Sequence, residues 1–352
     1  MQCALVCIVA FLAAPFCGAQ DYERWMFEEP PVDAMGFAPD EFWLENARLG
    51  ALQLSACVAA LVSADGLAVT SASCLRTVLD PATSEDYAVG GFLAAALEEE
   101  LKLSGLSARQ IAGLRDITGL EDADISREPD LDYQVVPRED STILWEYALA
   151  DYHDVRLVLL PEAAATEFGA EDGVYPRYSV DFAFVRIYVS EDVPLETESY
   201  FAWTERAALL DEVVYQTAIP QVAPMLTAGP AHVYSYNGTV TPPFTTFYGM
   251  LDLHHSHGGS GVWTLPARWL SRMSAMDLSS PLNFTVAGPC AQSGAPVFSR
   301  DLELLGVAFD DVGETSCVVA AAPGVLTVLR NIYGADHILQ ELEYQQLSRP
   351  NE

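Results

Sequence analysis

The sequence predicts a mainly β fold made of barrels or sandwiches, and three observations carry that expectation. Short apolar runs recur at residues 51–70, 155–160, 182–189, 213–219 and 304–309, each the length of a strand. Gly, Pro, Asn and Asp punctuate the intervals between them, and helical periodicity is confined to a few segments. At 352 residues and 51% hydrophobic content, the chain can hold one large core or two mid-sized ones.

Residues 1–19, M-Q-C-A-L-V-C-I-V-A-F-L-A-A-P-F-C-G-A, form an apolar run ending in Cys17-Gly18-Ala19. They read as a secretory signal cleaved before Gln20, which predicts a secreted or periplasmic protein. No later stretch approaches the roughly 20 apolar residues of a membrane-spanning helix, so no membrane span is expected. The rest divides into an N-terminal arm and first β unit, 20–195, and a second β unit with a C-terminal helix, 196–352.

Residues 21–42, rich in acids, proline and aromatics, read as an extended arm that packs by its rings. Two apolar runs flank Asp65-Gly66, a hairpin signal. Residues 84–130 read as a helical excursion, because Leu93, Leu97 and Leu101 recur at i+4 around Glu98, Glu99 and Glu100. The stretch 116–140, acidic and broken by Pro129 and Pro137, reads as a surface loop. After the strands at 155–160 and 182–189, residues 201–210 carry no clear pattern and 213–219 read as a strand. A Pro/Gly/Tyr-rich connection follows over 221–238, then a short helix over 269–276. The chain ends in a helix over 325–347, interrupted near Gly334.

Beyond the leader four cysteines remain: Cys57, Cys74, Cys290 and Cys317. An even number in an exported chain favours disulfides, and the sequence-local pairing is Cys57 with Cys74 and Cys290 with Cys317. Zinc is the weaker reading, since no pair has the short ligand spacing of such sites. With 17 Lys+Arg against 50 Asp+Glu the net charge is −33. Such a surface repels nucleic acid and anionic membrane, excludes both as partners, and reads as a solubilising coat.

The chemistry-bearing stretch is 288–311, G-P-C-A-Q-S-G-A-P-V-F-S-R-D-L-E-L-L-G-V-A-F-D-D. Ser293 stands in a Q-S-G-A-P turn ahead of a buried strand, a geometry that suits a serine nucleophile and that ordinary turns share. Four stretches resemble the dipeptidyl-peptidase 7 and 11 family of exported serine peptidases. V-S-A-D-G-L-A-V-T-S-A-S-C, 62–74, is similar to that family's V-S-P-D-G-L-V-L-T-N-H-H-C. D-V-R-L-V-L-L-P-E, 154–162, and F-G-A-E-D-G-V-Y-P-R-Y-S-V-D-F, 168–182, resemble its D-V-R-L-V-F-A-P-P and F-G-G-D-x-D-N-x-x-W-P-R-H-T-G-D-F. P-P-F-T-T-F-Y-G-M, L-P-A-R-W-L and L-S-S-P-L-N-F lead to Q-S-G-A-P-V as the family's run leads to G-G-N-S-G-S-P-V, and I-Y-G-A-D-H-I-L matches its terminal helix.

The resemblance implies a chymotrypsin-like double β-barrel, truncated, because residues 221–239 stand where the family inserts a helical domain over its cleft. It assigns Ser293 as nucleophile and Asp181 as the triad aspartate. The base should lie in T-N-H-H-C, where this chain has Ala72 and Ser73. Neither side chain can take a proton from a serine hydroxyl, and losing one triad member costs on the order of 10^4 to 10^6 in rate. In the oxyanion hole, formed with the Ser293 N–H, the family's glycine is replaced by Ala291, where a left-handed backbone would cost a Cβ about 1–2 kcal/mol.

On the substrate side, Asp310 matches the family's acceptor of a peptide's α-amino group, and Asp311 the position that selects the second side chain, here favouring a basic one. Asp172 is what remains of the F-G-G-D-x-D-N run. No cofactor or metal is implied. The cluster His254, His255 and His257 could share a strand face, but reads as a surface group. These features predict an inactive or severely impaired homologue that retains binding of peptides with free N-termini. One alternative is an active peptidase using His254, His255 or His257 as a displaced base; another is a structural module that binds no peptide.

Overall fold

Two antiparallel sheets arise where those apolar runs pair. The computed structural model describes them through residues 25–27, 30, 32–121, 124–137, 142–171, 174–219, 224–313 and 315–347. The N-terminal sheet contains β1 (Ala51–Leu54), β2 (Cys57–Leu61), β3 (Leu67–Thr70), β4 (Ala108–Asp116), β5 (Asp132–Pro137), β6 (Leu144–Tyr152), β7 (Asp154–Leu160) and β8 (Ala183–Ser190). Its strand order is β7-β8-β3-β2-β1-β4-β6-β5, with two-residue strands added at its β7 and β8 side. The C-terminal sheet contains β9 (Val213–Ala218), β10 (Met225–Pro230), β11 (Phe244–Thr246), β12 (Pro281–Ala287), β13 (Pro296–Phe298), β14 (Glu303–Val312) and β15 (Ser316–Ala321), in the order β10-β9-β13-β14-β15-β12-β11.

The fold is mainly β, as the sequence predicts, but among the described residues neither sheet closes into a barrel. Each pairing path has two ends. Both sheets bury their apolar runs: β2 and β3 are buried along their whole length, as are β13 and β15. Asp65-Gly66 turns the β2–β3 hairpin, with Gly66 at φ +74° and a Cβ there only 2.7 Å from the Ile187 carbonyl. Only glycine fits both constraints.

One apolar cluster is shared by elements of both sheets. It gathers Trp43, Phe168, Phe182, Tyr215, Trp269, Phe298 and Ile338, from both halves of the chain. Burial of large rings from both halves couples the two sheets, because separating them would return these surfaces to water. The terminal helices cross back onto the first half. Asp336–Tyr344 packs Glu341 against Arg186 at 2.7 Å and Ser63 at 2.6 Å, and Gly334 takes the left-handed conformation at the expected interruption.

Several elements differ from expectation. Leu93, Leu97 and Leu101 do not form an amphipathic helix: Phe92–Leu93 and Leu101–Lys102 pair with β7, and Leu97–Glu99 is a 3-10 turn. The i+4 spacing arises because two strand pieces flank one turn. Glu100 is buried against Arg186 at 2.8 Å rather than solvated. The helix of this region lies earlier, at Pro81–Gly90. The loop expected over 116–140 contains β5, which pairs with β6 from Asp132 to Pro137. The arm is extended only in part: Trp25–Met26 pairs with β10, Val32–Met35 is a short helix, and Asp40 caps the helix Glu41–Leu49 that follows. Its rings do pack, with Phe37 edge-on to Tyr215 at 5.7 Å. Where a connection was expected at 221–238, β10 adds a strand to β9. The leader, 1–19, lies outside the described residues.

Candidate active site

Register places the candidate triad positions before any side chain is considered. Ala183 at the start of β8 pairs with Thr70 at the end of β3. Asp181, two residues before that pair, therefore faces the turn Ser71-Ala72-Ser73 that leaves β3. Ser71 caps the helix Ala72–Val78, accepting from the Cys74 N–H at 3.3 Å. Ala72 is fully buried in the first sheet's core, whereas Ser73 turns to the acid: its N–H donates to Asp181 Oδ1 at 2.9 Å. Of the two replaced positions, Ser73 is thus the one from which an imidazole would reach Asp181.

The serine turn docks on the same hairpin. The Val58 N–H donates to the Ser293 carbonyl at 3.0 Å. Gly294 follows at φ +82°, where a Cβ would lie 2.1 Å from the Val58 carbonyl and 2.4 Å from Thr70 Oγ1. This contact explains why the residue after the serine must be glycine. Two disulfides brace the assembly with the expected pairing: Cys57–Cys74 ties β2 to the helix after β3, and Cys290–Cys317 ties the serine turn to β15.

Ser293 Oγ lies 2.9 Å from Ser71 Oγ, so its hydrogen-bond partner is another hydroxyl. A hydroxyl cannot hold the proton that a nucleophilic serine must release at neutral pH. All six histidines lie within the described residues and none bonds to Ser293 or Asp181. His232 Nε2 is 3.0 Å from Ser316 Oγ, His254 Nδ1 is 2.9 Å from the Trp263 carbonyl, and His257 Nδ1 is 3.0 Å from the Leu253 carbonyl. The His255 ring stands against His254, His153 is near Asp151, and His337 is near Glu341 and Arg186. His254 and His255 sit in the helix Phe247–Ser256, not on a strand face.

Asp181 is 2% exposed, and burial pushes its carboxyl up to about 6 against the lowering effect of the Ser73 hydrogen bonds. The Arg76 guanidinium lies near enough to feel the Asp181 charge, but the carboxyl's hydrogen bond comes from the Ser73 N–H.

The oxyanion side differs from expectation. Ala291 is not in the left-handed region, so it carries no such strain. Instead its N–H points inward and donates to the buried Gln216 Oε1 at 3.0 Å. That donor is occupied and unavailable to a developing oxyanion. Gln292 locks the turn further, accepting from the Ile219 N–H at 3.1 Å and donating to the Ala56 carbonyl at 2.8 Å.

The candidate substrate carboxylates are also engaged. Arg177 Nε donates to Asp310 Oδ2 at 2.5 Å, while Asp310 Oδ1 accepts from the Asp311 N–H at 2.9 Å. Asp310 is therefore not the free acceptor expected for an α-amino group, because an internal guanidinium neutralises it. Asp311 is exposed, with Oδ1 accepting from the Cys290 N–H at 2.6 Å and its carbonyl accepting from Tyr175 at 2.6 Å. Asp172 lies outside the described residues. Arg177, Ser71 and Gln216 escaped the sequence reading. Arg177 and Ser71 stood in matched runs, V-Y-P-R-Y and T-S-A-S-C, while Gln216 gave no signal of its own.

The comparisons with known proteins agree with this architecture. Residues 21–136, 132–223 and 220–344 match the family profile described as Peptidase S46. Dipeptidyl-peptidase 7 of Phocaeicola vulgatus is 24% identical over 189 residues, which is 42% of this chain and 26% of that protein. An Asp/Glu-specific dipeptidyl-peptidase of Shewanella putrefaciens is 27% identical over 174 residues, 42% of this chain and 23% of that protein. The matched part thus spans about a quarter of the length of these relatives. The crystal structure of Porphyromonas endodontalis DPP11 superposes with a TM-score of 0.72 at 10% identity, over 90% of this chain and 96% of that one, a likeness of fold. Matched along nearly its whole described length, the chain belongs to the peptidase S46 family.

Proposed function

We propose that this protein is an exported, non-hydrolysing member of the peptidase S46 family that binds peptide N-termini. One observation carries the loss of hydrolysis: the partner of the Ser293 hydroxyl is the Ser71 hydroxyl, with every histidine bonded or packed elsewhere. The Ala291 N–H, committed to Gln216, removes a second requirement independently. Together they leave a serine with neither a proton acceptor nor a complete oxyanion site. The apolar leader at 1–19 and the two disulfides favour export.

Retained binding draws on the fold's relatives. Structures of the P. endodontalis protein hold the dipeptides Arg-Glu and Arg-Asp. Here a peptide amine would share the Asp310 carboxyl with Arg177, which weakens that anchor, and a basic second side chain would meet the exposed Asp311. Two measurements test the reading. Dipeptide reporter substrates should show no turnover that Ser293→Ala removes; Ser293-dependent turnover refutes the loss of hydrolysis. Short peptides with free N-termini should bind more tightly than their acetylated forms, and Arg177→Gln should strengthen that preference. Equal affinity for free and acetylated peptides refutes N-terminal recognition and leaves a structural module.

A further inference from the structure

The connection after β10 contains Asn237-Gly238, the one place in the chain where a glycine follows an asparagine. It turns a hairpin in which Ser235 pairs with Val240 and Tyr236 with Thr239. Asn237 at φ +49° and Gly238 at φ +75° both take the left-handed region that a tight two-residue hairpin turn requires. Among the described residues these short strands pair only with each other, and residues 237–240 are all exposed. A two-stranded hairpin of this length is marginal in water, so it opens locally at little cost in free energy.

Three observations leave the turn open to chemistry. The Asn237 side-chain amide makes no hydrogen bond among the described residues. The Gly238 N–H donates to no backbone carbonyl among them either. A Cβ at Gly238 would meet nothing within 4 Å, so no neighbouring group shields its nitrogen. The other described asparagines are held in place. Asn46 Nδ2 donates to the Phe42 carbonyl at 2.8 Å, Asn283 Nδ2 to the Arg177 carbonyl at 3.1 Å, and Asn331 Nδ2 to the Thr327 carbonyl at 2.9 Å. They precede Ala47, Phe284 and Ile332, whose side chains crowd the following backbone nitrogen.

We propose that Asn237 is a self-modifying site that deamidates in the folded protein, with water as the only co-reactant. The Gly238 backbone nitrogen attacks Asn237 Cγ. As that C–N bond forms, the Cγ–Nδ2 bond breaks and ammonia leaves with the proton that the Gly238 nitrogen gives up. Water then opens the succinimide at either carbonyl, leaving aspartate or isoaspartate. Isoaspartate inserts a methylene into the backbone and so displaces the Tyr236–Thr239 pair. Tyr236 stands edge-on to Tyr175 at 5.6 Å, and Tyr175 donates to the Asp311 carbonyl at 2.6 Å, which puts the change beside the candidate peptide site. Its bearing on peptide binding rests on the function proposed above; the chemistry at Asn237 does not.

The test is to incubate the full chain at pH 7.5, in buffer and in urea, and to follow each asparagine by peptide mass spectrometry. In buffer Asn237 should exchange its amide for a carboxyl at a rate within several-fold of that in urea, with isoaspartate among the products. Asn46, Asn283 and Asn331 should change at least tenfold more slowly in buffer than Asn237. Gly238→Ala should slow the reaction at least tenfold, with the circular dichroism spectrum unchanged. An Asn237 amide that persists in buffer while the urea-unfolded chain loses it would show that the turn protects the site, and would overturn the inference. Equal rates at Asn46, or aspartate formed without isoaspartate, would overturn it as well.

Discussion

Asp181 offers a test whose sign is unusual for a carboxylate. Burial raises its pKa from 3.8 to about 6, and no imidazolium is present to bring it back. In the unfolded chain the group ionises near its ordinary value, so between these two pH values the folded state binds more protons than the unfolded one. Stability contributed by this group is therefore full below about pH 4, falls as pH rises, and reaches its lowest value above about pH 6. A shift of two pH units at about 1.4 kcal/mol each makes the loss on the order of 3 kcal/mol. Asp181→Asn removes the charge and keeps an oxygen to accept the Ser73 N–H. Urea denaturation of both proteins from pH 4 to 8 isolates the effect, because other groups cancel in the difference. The variant should match wild type near pH 4 and gain on it up to pH 6, becoming more stable by about 1–3 kcal/mol at pH 7.5. A difference independent of pH, or a wild type that gains on the variant as pH rises, would refute this account of the buried acid.

Two further perturbations probe the same region. Ser73→His sets a ring beside Asp181 and should produce measurable reporter turnover, removed by a further Ser293→Ala, that the wild type lacks, yet far short of the roughly 10^4 to 10^6 a full triad supplies, because the Ala291 N–H stays on Gln216; a folded variant with no such turnover contradicts this. Gly294→Ala forces a Cβ to within 2.1 Å of the Val58 carbonyl at φ +82° and should cost about 3 kcal/mol or more by denaturant midpoint, whereas a loss below about 1 kcal/mol would mean that the turn does not clamp the hairpin.

Much of the architecture was legible because its signals are local. Asp65-Gly66 marked the β2–β3 hairpin, the sequence-local cysteine pairs formed, and Gly334 broke the terminal helix where expected. The failures share a cause. Leu93, Leu97 and Leu101 carry helical spacing, yet pairing with β7 overrides it, and burial of Glu100 depends on Arg186, which is 86 residues away. At the candidate site the missing histidine was visible in T-S-A-S-C. Its consequence was not, since the Ser71–Ser293 contact joins positions 222 residues apart. The Arg177–Asp310 pair and the inward Ala291 N–H are likewise long-range, and neither leaves a periodic or local trace. The left-handed backbone expected at Ala291 failed because the peptide turned toward Gln216 instead.

Reporter substrates test turnover only for the peptides chosen, whereas a fluorophosphonate tests the hydroxyl itself. Intact protein incubated with a fluorophosphonate at pH 7.5 and analysed by peptide mass spectrometry measures whether Ser293 can lose its proton to a base. The account predicts that Ser293 is modified no faster than exposed serines such as Ser104. Stoichiometric modification of Ser293 within minutes, abolished by Ser293→Ala, would contradict it.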